Sequence, residues 1–338
     1  MTADGCERMA FPTLRADGPS FVQMRPPRAA VAGALLATAG LGTALQDYAA
    51  IDDAAAAGDM LARMAAFGGV AMIGLLAWRG WHLRELPVRG KDHCGGSGFV
   101  MAALGYVLIA SQQFLPAGTL AHDAWLLTLA LYCALILCIL VALSAARELC
   151  EPVLTPSVVM PSTVLFLAAA RANPQGWPQL TTAVFALAMA SWLAALASAG
   201  AWRLADRHLP HTLILAAPPS LASIVALEWT RPLPWLAPGF AFLGTLFWVG
   251  ALVFLVRRGA RLPLTGACWA LVFPTTAQAH ALHSLGGTFG GSWMQSLATA
   301  QLWFASLAYL ALWLAFALRW RRLVAARAMP RLKSTRPI

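Results

Sequence analysis

Ten mostly apolar stretches of about 20 residues each follow one another along the chain, separated by polar segments. A stretch of that length crosses the hydrocarbon core of a bilayer when it forms an α-helix. The chain is 59% hydrophobic and only 11% charged, with a mean hydropathy of +0.67, which excludes an ordinary soluble protein. The sequence therefore predicts an all-α integral membrane protein. The expected transmembrane helices lie at roughly 28–46, 59–78, 97–115, 123–146, 156–172, 180–203, 210–228, 236–257, 265–285 and 294–319.

The positively charged residues predict the orientation of these helices. All but three of the 24 Lys and Arg residues lie in the N-terminal segment, in alternate loops or in the C-terminal segment; the exceptions are Arg63, Arg171 and Arg231. Positive charge is retained on the cytoplasmic side, so both termini are expected in the cytoplasm and the number of spans is expected to be even. Membrane topology thereby accounts for the net charge of +10, and no nucleic-acid partner is predicted.

The two ends of the chain differ in composition from the part between them. Residues 1–25 are polar and are predicted to form a disordered cytoplasmic N-terminal tail, and 323–338 are predicted to form a basic cytoplasmic C-terminal tail. The ten-helix channel or transporter domain is expected at 26–322. Because the first 25 residues lack the apolar core of a cleavable signal peptide, we expect the first span to insert uncleaved into the cell (inner) membrane as part of a multi-pass protein.

The spacing of the spans predicts five consecutive helical hairpins. Such a repeat can close into a quasi-five-fold ring around a central pore, with the odd helices inside and the even helices outside. The segment 47–58 contains three aspartates and a run of alanines, and we expect it to form an acidic connection on the outer side.

Proline residues interrupt three of the odd spans near mid-membrane depth, at Pro161, at Pro218 and Pro219, and at Pro274. A proline inside a helix removes a backbone donor and costs about 3 kcal/mol. In a bilayer, a broken helix is tolerated only where it is packed in protein or lines a water-filled cavity. Kinked helices that alternate with straight ones therefore indicate a pore built from every second helix.

The predicted pore is neutral. The spans carry no acidic or basic residue at a clear midplane position, and this favours a passive anion pathway over a proton-coupled pump. Broken helices present N–H groups and positive dipole ends to an anion. Hydroxyl groups beside the prolines either contact the anion as well or only satisfy carbonyls that the kinks release. The candidate anion contacts of this kind are Ser162, Thr163, Ser220 and Thr276.

Three segments carry a resemblance to a known family. Residues 265–283 read TGACWALVFPTTAQAHALH, residues 211–221 read HTLILAAPPSL, and residues 155–165 read TPSVVMPSTVL. They resemble the ninth, seventh and fifth helices of the tellurite-resistance/dicarboxylate transporter family, which includes the slow-type anion channels and TehA-like proteins. The more specific motifs are W-x-x-x-F-P, from Trp269 to Pro274, and the A-P-P at 217–219.

The resemblance implies ten helices in a quasi-five-fold ring and a homotrimer with one pore in each subunit. It also implies that a phenylalanine on the ninth helix closes the pore, and the matching residue here is Phe273. Unlike many family members, this chain has no proline within its third span, where Gly105 is expected to supply flexibility. Gly40 and Gly105 are predicted to line or kink the pore, or else to allow close helix packing.

Two histidines on the ninth span allow another interpretation. His280 and His283 are three residues apart, so on a helix they could share a metal or haem. Alternatively, His280 lines the outer end of the pore as a candidate anion contact. No second histidine pair lies at membrane depth, and the six cysteines form no CxxC pair, so no metal or cofactor is predicted.

Three functions remain possible at this point, and none of them is enzymatic. The first is an anion channel or facilitator that passes small inorganic or organic anions through a pore gated by Phe273. The second is a proton-coupled carrier of C4-dicarboxylates, sulfite or tellurite-related anions. The third, from a different class, is a His-ligated membrane redox or sensor protein.

Overall fold

The computed structural model describes residues 28–48, 52–83, 98–115, 118–145, 156–172, 177–198, 206–229, 235–257 and 266–328. This part of the chain is all-helical and contains ten α-helices, as the spacing of the apolar stretches predicts. They are α1 Arg28–Asp47, α2 Asp52–Leu83, α3 Gly98–Ser111, α4 Thr119–Ala145, α5 Met160–Ala172, α6 Pro178–Ala197, α7 Ala217–Trp229, α8 Leu236–Arg257, α9 Phe273–Phe289 and α10 Ser292–Ala328.

Two boundaries differ from the sequence-based expectation. The prediction that 47–58 is a connection is wrong for most of that segment, because α2 begins at Asp52. Its first two turns contain the alanine run, and alanine has the highest intrinsic helix propensity. At the other end, α10 continues to Ala328, into the predicted C-terminal tail. The N-terminal tail at 1–25 lies outside the described residues.

Five helices in the described residues are long and apolar enough to cross a membrane. They cover Asp53–Trp78, Pro178–Ala197, Pro210–Glu228, Leu236–Arg257 and Ser292–Arg322. Two further apolar helices are shorter, at Phe99–Phe114 and Met160–Ala172. The chain is thus a candidate multi-pass membrane protein.

The prolines mark a change of helix type in three odd-numbered elements. Helices of the 3-10 type precede α5, α7 and α9, at Pro156–Val159, Asp206–Ala216 and Gly266–Leu271. Before α9, for example, the N–H of Val272 donates to the carbonyl of Trp269, three residues back, and the N–H of Thr276 donates to the carbonyl of Val272, four residues back. The prolines therefore stand in the first turn of an α-helix, where a missing N–H costs little.

The odd and even helices differ in burial and in their neighbours. In the span that contains α7, 83% of the residues are buried, compared with 22% to 33% in the four even-numbered candidate spans. In addition, α1 contacts α3, α3 contacts α5, α5 contacts α7, α7 contacts α9, and α9 contacts α1. The large exposed apolar side chains of the described residues belong almost entirely to the even helices, which is the distribution expected of lipid-facing elements.

Candidate functional site

A cavity of about 360 Å³ lies among the five odd helices. Every one of these helices, with the 3-10 turn that follows α3, contributes residues to its wall. The end nearest the helix N termini, called the inner end, is lined by Gly40, Tyr106, Leu167, Leu221, Thr276 and Ala277. The end nearest the helix C termini, called the outer end, is lined by Asp47, Gln113, Arg171, Glu228, His280 and Ser284.

Phe273 is not among the residues that line the cavity, but its ring packs against two that are, Tyr106 and Gly40. Its side chain is only 1% exposed, and its ring meets that of Tyr106 edge-on, with centroids 4.7 Å apart and planes at 81°. A Cβ atom at Gly40 would be 2.9 Å from Cδ2 of Phe273 and 2.9 Å from Oγ1 of Thr276. The ring therefore fits against α1 only because residue 40 has no side chain.

Polar side chains at the other end of the cavity join four of the five odd helices. Arg171 on α5 donates through Nη2 to Oε1 of Gln113 at 2.9 Å. Gln113, after α3, donates in turn to Oε1 of Gln46 on α1 at 3.3 Å. Next to Gln46, Asp47 lies 2.5 Å from Nδ1 of His280 on α9. The cavity thus passes from an aromatic inner end to a charged and hydrogen-bonded outer end.

The hydroxyl groups predicted as anion contacts donate to backbone carbonyls in this structure. Ser162 donates to the carbonyl of Val159 at 2.6 Å, and Thr163 is 3.4 Å from the same oxygen. In α7, Ser220 has both the carbonyl of Ala216 and the amide oxygen of Gln278 as partners.

Thr276 lines the cavity, but its hydroxyl donates to the carbonyl of Phe273 at 2.7 Å. Because a hydroxyl has one proton and each of these four groups has an acceptor oxygen within the protein, none of them presents a free donor to the cavity. Their role as anion contacts stays a prediction.

The remaining predicted pore residues occupy different positions. Gly40 lines the cavity, whereas Gly105 lies inside the unbroken α3 and approaches Tyr132 of α4. A Cβ at Gly105 would be 2.9 Å from the Tyr132 ring, so this glycine allows close packing rather than a kink. Pro161, Pro218, Pro219 and Pro274 begin their α-helices and are not among the residues that line the cavity.

The two histidines of α9 have different partners. His280 pairs with Asp47 in the cavity, whereas the ring of His283 packs against Tyr48, with centroids 4.3 Å apart. Burial raises the pKa of Tyr48, which lies just beyond the end of α1. Within the described ranges, no group of three His, Cys, Asp or Glu residues is placed to hold a metal ion. In this structure the two imidazoles therefore have different neighbours.

Several polar residues of the cavity were not predicted as site residues, among them Asp47, Gln113, Arg171 and Glu228. Taken separately, each looks like an ordinary residue at the end of a span. The available signal was their shared position, because each lies at or just beyond the C-terminal end of an odd helix. Helices of one orientation that surround a common axis bring these ends together.

Comparisons with protein-family models and with curated proteins find no match to this chain. The likeness to the tellurite-resistance/dicarboxylate transporter family therefore rests on the three sequence segments quoted above.

Proposed function

We propose that this protein is a membrane anion channel or facilitator, with a passage between its five odd helices that Phe273 closes. The observation that carries the proposal is the cavity to which all five odd helices contribute and whose inner end meets a buried aromatic ring. A cavity between helices is a common place for a small-molecule path. A single aromatic side chain across a narrow apolar passage is enough to exclude water and ions.

In this proposal, all ten helices cross the cell inner membrane and form a quasi-five-fold ring. The closed order of contacts among α1, α3, α5, α7 and α9 supports this arrangement, as do the exposed apolar side chains of the even helices. Both termini face the cytoplasm, so the charged end of the cavity faces outward. The homotrimer is proposed from the family resemblance alone.

The preference for anions is proposed from the family resemblance and from the absence, among the described residues, of an acidic side chain beside Phe273. The α-helical parts of α5, α7 and α9 start at Met160, Ala217 and Phe273, partway along their spans, but each follows a 3-10 helix. Backbone N–H groups at such a junction are bonded, as those of Val272 and Thr276 are, so the helix dipoles add little to this preference.

The test is efflux of chloride and, separately, of acetate from liposomes that contain the Phe273→Ala variant. Removal of the ring opens the narrow point, so we expect efflux to rise at least about tenfold above the wild type. The matched control is Phe166→Ala on α5: Phe166 is also fully buried, but it packs against Phe185 of α6 with centroids 5.4 Å apart. Efflux at the wild-type rate in a folded Phe273→Ala protein would reject the proposed gate.

A proton-coupled carrier of dicarboxylates, sulfite or tellurite-related anions is the second candidate. Two features of the cavity favour it: the guanidinium of Arg171 and the pairing of His280 with Asp47. Such groups bind an anion and exchange a proton in carriers. Uptake that saturates with substrate and requires a pH gradient would support the carrier, whereas flux that follows only the electrochemical gradient of the anion would support the channel.

A further inference from the structure

We propose that Arg171 forms an anion-binding subsite in the outer part of the cavity, and that its ligand is a small monocarboxylate rather than a dianion or a halide. This inference rests on the proposed function, because it assigns a substrate class to the same passage. It is carried by the geometry of Arg171 and by the charges that share the cavity with it.

The contacts of Arg171 orient its side chain without neutralising it. Arg171 lies in the last turn of α5, where a cation interacts favourably with the helix dipole. Its Nη2 donates to a neutral amide, that of Gln113, which is itself bonded to Gln46. A guanidinium held in this way keeps its positive charge and a planar set of donors. That planar set matches the two oxygens of a carboxylate, which a spherical halide cannot reproduce.

The other charges in the cavity limit the charge of the ligand. Asp47 from α1 and Glu228 from α7 line the same cavity as Arg171, and His280 from α9 pairs with Asp47. Arg171 is the one guanidinium among the described residues that line the cavity, and none of them is a lysine. The residues that α3 and its 3-10 turn contribute, Tyr106 and Gln113, are uncharged. One carboxylate of a ligand would meet the planar donors of Arg171, whereas a second carboxylate would find no second guanidinium or ammonium group there.

The size of the cavity agrees with this class of ligand. Its volume of about 360 Å³ is near the lower end of the range for small-molecule sites, roughly 300 to 1,000 Å³. Its inner end is lined by apolar groups of Leu167, Leu221 and Ala277, whereas the guanidinium lies at the outer end. A short carboxylic acid can therefore place its carboxylate on Arg171 and its methyl group toward the inner end.

The test measures acetate binding to the full-length protein in detergent by saturation-transfer NMR. We expect transfer to the acetate methyl in the wild type, a signal weaker by about fivefold in Arg171→Lys, and none in Arg171→Gln. Lysine keeps the charge but loses the planar donors, so the Arg171→Lys variant still tests the subsite if the Arg171→Gln variant does not fold. Formate should displace acetate, whereas succinate and chloride at the same concentration should not. In Asp47→Asn, with one carboxylate removed, succinate should begin to compete.

No acetate signal in the wild type, an unchanged signal in both Arg171 variants, or equal displacement by succinate would overturn the inference. The result is separable from the gate experiment because binding is measured without transport. Arg171-dependent acetate binding without efflux in Phe273→Ala would retain the subsite and reject the channel. Efflux in Phe273→Ala without Arg171-dependent binding would retain the channel and reject the subsite.

Discussion

The contact between Phe273 and Gly40 shows how one missing side chain shapes the inner end of the cavity. The ring of Phe273 occupies the space that a side chain on residue 40 would need, and Tyr106 supports it edge-on. Edge-to-face aromatic pairs are favourable beyond their buried area. The three residues come from α9, α1 and α3, so a shift of the Phe273 ring would change the packing between three inner helices.

We expect the substitution Gly40→Ala to cost more while the phenylalanine ring is present than after its removal. The added methyl group would meet the Phe273 ring and Thr276, and overpacking of this kind costs about 1 to 3 kcal/mol. In a Phe273→Ala background only the contact with Oγ1 of Thr276 remains, so the cost should be smaller. Thermal unfolding of the four proteins of this double-mutant cycle in detergent measures the coupling.

The control for this cycle is Gly74→Ala on α2, because a Cβ there meets nothing within 4 Å. It should leave stability unchanged or slightly increased in both backgrounds. Equal destabilisation by Gly40→Ala with and without the ring would contradict the packing described for Phe273.

Single residues also show what the sequence could and could not predict. A phenylalanine directly before a proline in a broken span directed attention to Phe273, and the structure buries that residue against Tyr106 and Gly40, which line the cavity. The side-chain partners were not predictable from the motif. The hydroxyl of Thr276 donates to a local carbonyl, whereas Arg171 depends on Gln113, 58 residues away, for its orientation. Contacts of that sequence separation require the arrangement of the helices to be known.

At the level of helices, a buried glutamine connects three elements behind the cavity. Gln278 on α9 accepts a hydrogen bond from Ser220 on α7 and donates to the carbonyl of Ala241 and to Oγ1 of Thr245 on α8, at 3.0 and 2.8 Å. Gly244 on α8 lies against this amide, and a Cβ there would collide with Oε1 of Gln278 and come within 2.8 Å of Oγ of Ser220. The network holds α8 close to the inner helices because residue 244 is glycine.

Gly244→Ala should therefore destabilise the protein by about 1 to 3 kcal/mol, because either the backbone or the hydrogen-bonded amide must shift. Gly250→Ala on the same helix is the matched control, since a Cβ at Gly250 meets nothing within 4 Å. It should be neutral or stabilising by up to about 1 kcal/mol, because alanine favours the helix. Equal melting temperatures for the two variants would argue against the described packing of α8 on α9.

The helices also show the limits of the proline pattern. The pattern predicts that each proline kinks its span, whereas the structure has a change from 3-10 helix to α-helix near each of them. The two outcomes look the same in sequence, because proline removes the same donor in both. The start of α2 was also ambiguous in the sequence, and the helix begins at Asp52, earlier than expected. Aspartates before an alanine run are compatible with a loop and with the first turn of a helix.

At the level of the whole molecule, apolar composition predicts how many helices there are, but it does not predict which of them pack inside the molecule. All ten expected helices are present, yet five of them meet the length and apolarity of a candidate membrane span. The helix α1 is rich in alanine and glycine, and α9 has only 17 residues. Such helices are short or weakly apolar because they pack against protein, where small residues allow close approach. Their position inside the molecule depends on tertiary contacts that hydropathy does not report.

The central claim is that the cavity is reached from the outer side and closed from the cytoplasmic side by Phe273. Two alanines on α9 test it directly. Ala277 lines the cavity, one turn above Phe273, whereas Ala279 is not among the lining residues and is buried in a cluster with Leu302 and Tyr309 of α10. Each would be replaced by cysteine in a protein whose six native cysteines are removed, in vesicles of known orientation.

The decisive measurement is modification of these cysteines by a charged, membrane-impermeant thiol reagent added to one side at a time. The account predicts that Ala277→Cys reacts from the outer side only, that it reacts from both sides once Phe273 is also replaced by alanine, and that Ala279→Cys reacts from neither side. Reaction of Ala277→Cys from the cytoplasmic side with Phe273 intact, or no reaction from the outer side, would contradict it.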